Sequence, residues 1–367
     1  FEETSDLVMR RVLVSDAGCD TSYYCYAGVA YWDEGGEGLI EDVEVDGFSY
    51  DASYSYAYFY GMFFAYEVDL VVDGLNIHDL DVTGIRGLYS LSIYMDYGSM
   101  QVNDLWVHDN RIQTERGYGL GVYVDESYGR LSFSNVTIED NEVEASRYSD
   151  TLGLYLDDAY GGSDVTNLEV LNNTISAEYG YPYGLAGYAY YGDHDWQNLL
   201  VAGNVLDYSD YGYMYAGLAT IGYGSLRLAN ADFTGNSISG LEDVYGSVAY
   251  AYYADLAMWN VTAANNDFGE AEIYGGIYLE DAEITEGYNN AWDSSYGQEG
   301  WVYDDDDGEL VAAPMYEDEP GYADAANGDY TLSAGSPMID AGSPDILDAD
   351  GTISDVGAYG GPFGDTW

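Results

Sequence analysis

The chain has 367 residues, of which 67 are acidic and 8 basic, so its formal net charge at pH 7 is −59. Because phosphate backbones are bound by clustered lysine and arginine, this balance excludes nucleic acid as a partner. Hydrophobic residues make up 47% of the chain, which is too many for a disordered protein. The apolar runs are too short to span a membrane, and we expect mature, soluble, exported material.

Residues 1–30 are predicted to form an N-terminal cap. This segment contains the two cysteines of the chain, Cys19 and Cys25. An even pair of cysteines in an exported protein predicts one disulfide, and two buried free thiols are the alternative.

A fixed register repeats through residues 31–290, which are predicted to form the coils of a solenoid. Six tyrosines each stand thirteen residues before an asparagine, and successive asparagines are 30 to 32 residues apart. Repeats of this length indicate coils that stack on one another. The tyrosines are Tyr97, Tyr128, Tyr160, Tyr191, Tyr223 and Tyr253, and the asparagines are Asn110, Asn141, Asn173, Asn204, Asn236 and Asn266.

Apolar columns indicate which residues face inward. The positions eight, five and three residues before each of these asparagines, and two after it, are apolar in every coil. Alternation by two is typical of strands, and the change of phase at the asparagine indicates a bend. A third alternating stretch precedes each tyrosine. The prediction is an all-β, right-handed parallel β-helix with three strands in each of roughly nine coils, and an antiparallel sandwich is the alternative.

Polar and aromatic columns are expected to stack along the axis of the solenoid. Stacked amides can hydrogen-bond from coil to coil, and stacked tyrosines bury their ring faces while their hydroxyls stay in water. A second polar column lies six residues before the first. It contains Asp104, Asn135, Asn167, Asn198, Asn230 and Asn260.

Arginines at one coil position form a candidate basic strip. Arg86, Arg116 and Arg147 each lie six residues after the anchor position of their coil, which predicts a stack across three coils. The arginines either form ion pairs with nearby glutamates or dock an acidic surface of another molecule.

Two other features of the coils are candidate sites. His78 and His108 share an outward column with Glu139, which is compatible with a metal site or with exposed imidazoles. Three glycosylation sequons occur, and those at Asn135 and Asn260 fall in the second polar column. Asn172 is therefore the candidate glycosylation site.

Residues 291–367 are predicted to form a C-terminal capping or assembly segment. Within it, Asp348, Asp350 and Asp355 alternate with short residues and a glycine in "DADGTISD". Such spacing is typical of calcium loops, although a solvated turn with aspartates capping backbone amides is the alternative.

The same segment carries "GDYTLSAGSPMIDAG" and "DVGAYGGP", and it resembles the C-terminal part of bacterial secreted right-handed parallel β-helix repeat proteins. The resemblance covers roughly residues 309–362. It implies export, extracellular or cell-surface residence and a β-helical body with a distinctive C-terminal region. It implies no substrate.

The tyrosines lead to the functional hypothesis. The chain has 43 of them. Stacking alone explains the six register tyrosines, but the others are more than three inward faces can absorb, so we expect several of those others to be displayed to a partner. Our leading hypothesis is an extracellular structural subunit that assembles with copies of itself into a filament or surface layer, with calcium between acidic faces. The alternative is a protein that binds or degrades a polysaccharide. Lysine is absent and no catalytic signature is evident, so enzymatic activity is disfavoured, and no organic cofactor is expected.

Overall fold

The apolar columns of the sequence face one continuous interior. A computed structural model describes residues 6–15, 18–19, 24–25, 28–32, 35–51, 58–293, 296, 300–305, 309–312 and 314–364. The chain winds into a right-handed parallel β-helix of about eight turns, which confirms the predicted fold class. In the described residues, no helix is long and apolar enough to cross a membrane.

The strands follow one another with few other elements. The first fifteen are β1 (Asp6–Ser15), β2 (Gly18–Cys19), β3 (Tyr24–Cys25), β4 (Ala30–Trp32), β5 (Glu37–Asp46), β6 (Ser49–Asp51), β7 (Tyr58–Phe59), β8 (Phe63–His78), β9 (Asp81–Leu88), β10 (Ile93–His108), β11 (Arg111–Gly117), β12 (Val122–Val124), β13 (Leu131–Glu139), β14 (Glu142–Asp150) and β15 (Leu154–Leu156). The next fifteen are β16 (Ser163–Leu171), β17 (Thr174–Pro182), β18 (Gly187–Ala202), β19 (Val205–Ala216), β20 (Ala219–Thr234), β21 (Ser237–Ser239), β22 (Asp243–Tyr252), β23 (Asp255–Ala264), β24 (Glu272–Glu280), β25 (Glu283–Gly287), β26 (Asn290–Trp292), β27 (Val302–Asp304), β28 (Glu309–Ala312), β29 (Tyr322–Asp324) and β30 (Asp329–Leu332). A single 3-10 turn covers Ala325–Asn327.

One coil consists of three strands, as predicted. Strands β14, β15 and β16 make a complete coil, and each pairs in parallel with its counterpart in the next one. In β18 the second and third strands of the coil run together through a bend. Tyr191 and Asn198 make this possible because both adopt left-handed backbone conformations, with φ of 59° and 56°.

The inward columns have the predicted register. The column eight residues before each asparagine pairs coil by coil, and all its members are buried: Val102, Phe133, Val165, Trp196, Leu228 and Met258. Val12 and Val14 of β1 continue the register onto Val43 and Val45 of β5. Coil pairing therefore begins inside the segment predicted as a cap.

The first asparagine column forms a buried amide ladder. Each side-chain amide nitrogen donates to the amide oxygen of the next coil, over 2.8 to 3.0 Å, from Asn110 through to Asn266. The same oxygen also accepts the backbone N–H of the preceding asparagine. Because buried polar groups are costly when unpaired, this ladder fixes the bend of every coil that it crosses.

The second polar column behaves as a ladder only in the first half of the solenoid. Asn135 donates to Asp104 and Asn167 donates to Asn135, over 2.9 and 3.0 Å. Beyond them the prediction of a coil-to-coil ladder is wrong. Asn198, Asn230 and Asn260 bond instead to residues of the C-terminal segment.

The described part of the C-terminal segment packs along the side of the solenoid. Coil pairing continues through β26 and β27, and β28 then pairs antiparallel with β27. Farther along, Ala358 and Tyr330 pack against the outward side chains of Leu200 and Ala202. The segment thus covers the outer face of the later coils, and the asparagines there hold its backbone.

The amide ladder predicts the effect of one truncation. Asn173→Ala removes an amide that bonds the carbonyl of Ile138, the amide of Asn204 and the backbone of Asn141. We expect a loss of about 2–4 kcal/mol in the free energy of unfolding, because buried partners remain unpaired. Urea unfolding would measure it.

The exposed neighbour Ser176 provides the control. Ser176→Ala, on the outer side of the adjoining strand, should change stability by less than about 0.5 kcal/mol. Equal effects of the two substitutions would contradict a stabilising role for the ladder.

Candidate functional site

The predicted basic strip contains two arginines in register, not three. Arg116 pairs with Arg147, but its partner in the preceding coil is Gly87. Where β9 pairs with β11, a β-bulge gives β9 one extra residue. Arg86 therefore lies beside Glu115, with 3.9 Å between its Nε and Oε2 of the glutamate. The inclusion of Arg86 in the strip was wrong because a count along the sequence cannot show a bulge.

The predicted calcium ligands cap backbone amides. Asp348 accepts the N–H groups of Gly361 and Asp355, over 2.6 and 3.2 Å, and Asp350 accepts the N–H of Thr352 over 2.9 Å. Burial raises the pKa of Asp348 to about 6. Among the described residues, these three carboxylates do not form a group of ligand atoms within 4.8 Å of one another. Calcium at this loop stays a prediction.

The two outward histidines are stacked and lie beside carboxylates. The rings of His78 and His108 are 5.0 Å apart, and Glu139 bonds the indole of Trp106. His78 Nδ1 lies 2.8 Å from Asp79. Burial opposes protonation of His78, but these hydrogen bonds and nearby carboxylates together raise its pKa. His78 thus lies in a cluster with Asp46 and Asp79, whose ligand atoms are within 4.8 Å of one another. A metal at this column stays a prediction.

Two further predicted sites stay untested. Asn172 lies exposed in a bend after β16, with φ of 53°, where a glycan could be attached. The side chains of Cys19 and Cys25 lie outside the described part of the chain. Their backbones belong to β2 and β3, which pair with β6 and β7 respectively.

Fifteen of the surplus tyrosines belong to a second apolar layer outside the coil. We call its inner row the sheet ladder. Its rings stack with centroids 4.5 to 5.4 Å apart in two runs: Tyr31, Phe64, Tyr94, Tyr123, Tyr155 and Tyr188, then Tyr250, Tyr278 and Tyr303. Although they point away from the solenoid core, Tyr94, Tyr123 and Tyr250 are buried.

Edge ladders cover the sheet ladder. They are two stacks, Tyr60, Tyr89 and Tyr118, then Tyr183, Tyr215, Tyr245 and Tyr274. Their rings stand nearly perpendicular to the rings beneath, at 89° for Tyr89 on Tyr123 and 77° for Tyr245 on Tyr278. Edge-to-face packing of this kind is favourable for aromatic rings. The expectation that surplus tyrosines are displayed to a partner is therefore wrong for these fifteen. That expectation compared the number of tyrosines with the room on the inward faces of the coil alone, and it did not consider a layer outside the coil.

Among the tyrosines whose side chains the structure describes, the exposed ones are five of the six in the repeating register. We call the six register tyrosines the corner ladder. From Tyr128 to Tyr253 the ring centroids are 5.0 to 5.7 Å apart. Tyr97 packs edge-on against Tyr66 instead, because the next coil has two extra residues before Tyr128. The members Tyr97, Tyr128, Tyr160, Tyr223 and Tyr253 are 37 to 69% exposed.

Carboxylates accompany the corner ladder. Hydrogen bonds to Glu126 and Asp281 raise the pKa of Tyr97 and Tyr253 respectively to about 12, so both hydroxyls stay protonated donors. The ladder therefore presents ring edges to solvent, flanked by negative charge. Such a surface combines apolar area with polar groups that can bond a partner.

A cleft of about 510 Å³ opens where the sheet ladder is interrupted. Thr220 occupies the ladder position between Tyr188 and Tyr250, so one ring is absent from the stack. Glu280 and Asp305 contribute carboxylates to the walls. The walls of this cleft therefore contain both aromatic rings and charges.

One buried serine and histidine resemble a nucleophile and its base. Ser163 Oγ lies 2.8 Å from Nδ1 of His194 and accepts the indole N–H of Trp196. Burial lowers the pKa of His194 to about 4, so the ring is neutral. Ser163 is fully buried, and a nucleophile must reach its substrate. This group of side chains supports the core and offers no catalytic site.

Comparison with known proteins identifies no family for this chain. No protein-family model matches this chain, and a search of curated proteins finds no similar sequence. The resemblance to secreted β-helix repeat proteins therefore rests on the C-terminal motifs and stays a prediction.

A buried carboxyl links the C-terminal segment to the coils. Asp232 of β20 is 1% exposed and accepts the hydroxyl of Tyr322 and the N–H of Ala358, over 3.0 and 2.9 Å. Burial raises its pKa from 3.8 to about 7. Since the folded chain binds this proton more tightly, the segment should dock less firmly as the pH rises through that interval.

Asp232→Asn tests this pH dependence. The amide keeps the size of the side chain and cannot ionise. At pH 8 we expect the variant to exceed the wild type in stability by up to about 4 kcal/mol, with little difference at pH 4. Urea unfolding at both pH values would measure this difference. Asp345→Asn, in an exposed position of the same segment, should leave the pH dependence unchanged. Parallel pH profiles for wild type and D232N would contradict the assignment.

Proposed function

We propose that this protein is an extracellular structural subunit that associates with copies of itself through the corner ladder, building a filament or surface layer. The observation that carries the proposal is the exposure of that ladder. Five of its six tyrosines are 37 to 69% exposed, while the sheet ladder beside them is packed and covered. Exposed tyrosines in a row are typical of contact surfaces.

The lateral position of the corner ladder favours side-by-side association. At the C-terminal end, the antiparallel strand β28 interrupts the parallel edge that an added coil would extend. The stacked part of the corner ladder, from Tyr128 to Tyr253, by contrast runs parallel to the axis over four coil steps, roughly 19 Å at the spacing of strands. Neighbouring solenoids could align their ladders along this length.

Charge sets the conditions for such association. A formal charge of −59 makes copies repel one another in dilute salt. Screening reduces the repulsion, since the Debye length falls from about 10 Å at 0.1 M salt to about 3 Å at 1 M. Calcium could also bridge the carboxylates that flank the ladder, such as Glu126 and Asp281.

A glycan is the alternative partner. The corner ladder carries protonated hydroxyls next to carboxylates, at Tyr97 with Glu126 and at Tyr253 with Asp281, and sugar hydroxyls bond to both kinds of group. A neutral polysaccharide would not be repelled by the charge. The stacked rings, however, present edges more than faces, which limits the stacking of sugar rings.

The salt dependence of assembly tests the proposal. We expect light scattering and electron microscopy to show dispersed solenoids at about 0.1 M sodium chloride and ordered assemblies at about 1 M or with calcium. A corner variant, Tyr128→Ser, Tyr160→Ser, Tyr223→Asn and Tyr253→Asn, should stay dispersed throughout. Asparagine suits the latter two positions because both have positive φ.

Trp106→Ser provides the matched control. This tryptophan is 43% exposed, similar to the corner tyrosines, but lies on a different strand segment of the coil. The control variant should assemble like the wild type. Dispersed wild-type chains under every condition would refute self-association, and unchanged assembly of the corner variant would refute the role of the corner ladder. Retention on an insoluble neutral polysaccharide, lost in the corner variant, would favour the glycan alternative.

A further inference from the structure

The interruption of the sheet ladder creates a pocket with a defined shape. Ten positions from Tyr31 to Tyr303 share one register column, and nine of them are aromatic. The exception is Thr220. At the adjacent outward position Gly222 stands between Tyr190 and Tyr252, and the ring of Tyr190 lies against it. Neither Thr220 nor Gly222 carries a ring, but the gap in the stack is at Thr220.

The missing ring leaves a space of molecular size. Tyr188 and Tyr250 are two coils apart, about 10 Å at the usual spacing of strands, with a threonine between them. Thr220 is buried and its hydroxyl donates to the carbonyl of Tyr183, so it forms the floor of the cleft. The resulting volume of about 510 Å³ falls in the range of small-ligand sites.

The lining of the cleft defines the chemistry of its ligand. Eight tyrosine side chains surround the space, and Glu280 and Asp305 are the charged groups among its lining residues. Tyr250 donates its hydroxyl to Glu280 over 2.5 Å, which fixes both side chains in the wall. Tyrosine faces attract cations, and the carboxylates add to this attraction.

We propose that this cleft binds a small organic cation with a methylated ammonium group, held by tyrosine rings and balanced by Glu280 and Asp305. A methylated ammonium group suits the site because it makes apolar contacts with rings and needs no hydrogen-bond acceptor. A neutral ring of similar size would gain nothing from the two carboxylates. An anionic ligand would be repelled by them and by the charge of the chain.

A pair of probes of nearly equal shape tests the proposal. Choline carries a trimethylammonium group, and 3,3-dimethyl-1-butanol replaces it with an uncharged tert-butyl group. Isothermal titration at constant ionic strength should show one saturable site for choline, with at least about tenfold weaker binding of the neutral probe. Equal affinity of the two probes, or no saturable binding of choline, would overturn the proposal.

Filling the ladder should abolish the site. Thr220→Tyr restores the missing ring, and we expect it to reduce choline affinity at least about tenfold. The control is Thr137→Tyr, the same substitution on the outer side of β13. This variant should bind choline with the affinity of the wild type. Glu280→Gln keeps the shape of the wall and removes one charge, so it should weaken choline binding and leave the neutral probe unaffected. Wild-type choline affinity in both Thr220→Tyr and Glu280→Gln would refute the assignment.

Discussion

The spacing between coils, about 4.8 Å, is the constraint on which this structure depends. In the paired strands it places side chains directly above their counterparts in the preceding coil. That distance suits amide-to-amide hydrogen bonds, as from Asn141 to Asn173 over 2.8 Å, and it suits stacked rings, as between Tyr123 and Tyr155 at 4.5 Å. Residues that pack well against their own kind can therefore repeat along the whole solenoid, inside as amides and outside as tyrosines.

This constraint produces two layers of packed apolar side chains. The inner layer fills the coil. The outer layer consists of the sheet ladder with the edge ladders upon it, and it resembles a core because rings such as Tyr94 and Tyr250 are buried. The corner ladder stays exposed beside these layers and is the surface that we propose for a partner, and the cleft above Thr220 is the site that we propose for a ligand. The C-terminal segment covers a third region through Asp232 and the asparagines of the later coils.

The sequence predicts the inner layer well because the repeat is regular. The column from Val102 to Phe133 and onward is in register without exception, and the buried asparagines bond as expected. Local irregularity accounts for the misplacement of Arg86, since one bulged residue does not alter the longer period. The sequence also contains evidence for the docking of the C-terminal segment, which the counting of repeat positions did not use. The outward position that is occupied by the charged Glu139 in one coil is occupied by the apolar Leu171 and Ala202 in the next two coils. The sequence also indicates the position of the cleft, since Thr220 interrupts a column of aromatic residues.

Five of the six register tyrosines are exposed, while fifteen of the other tyrosines form a packed outer layer. Nitration of tyrosine under native conditions, followed by peptide mass spectrometry, measures this residue by residue. We predict fast modification of Tyr128, Tyr160 and Tyr253, and strong protection of Tyr94 and Tyr123 in the sheet ladder. Modification of the sheet ladder at the rate of the corner ladder would contradict this account.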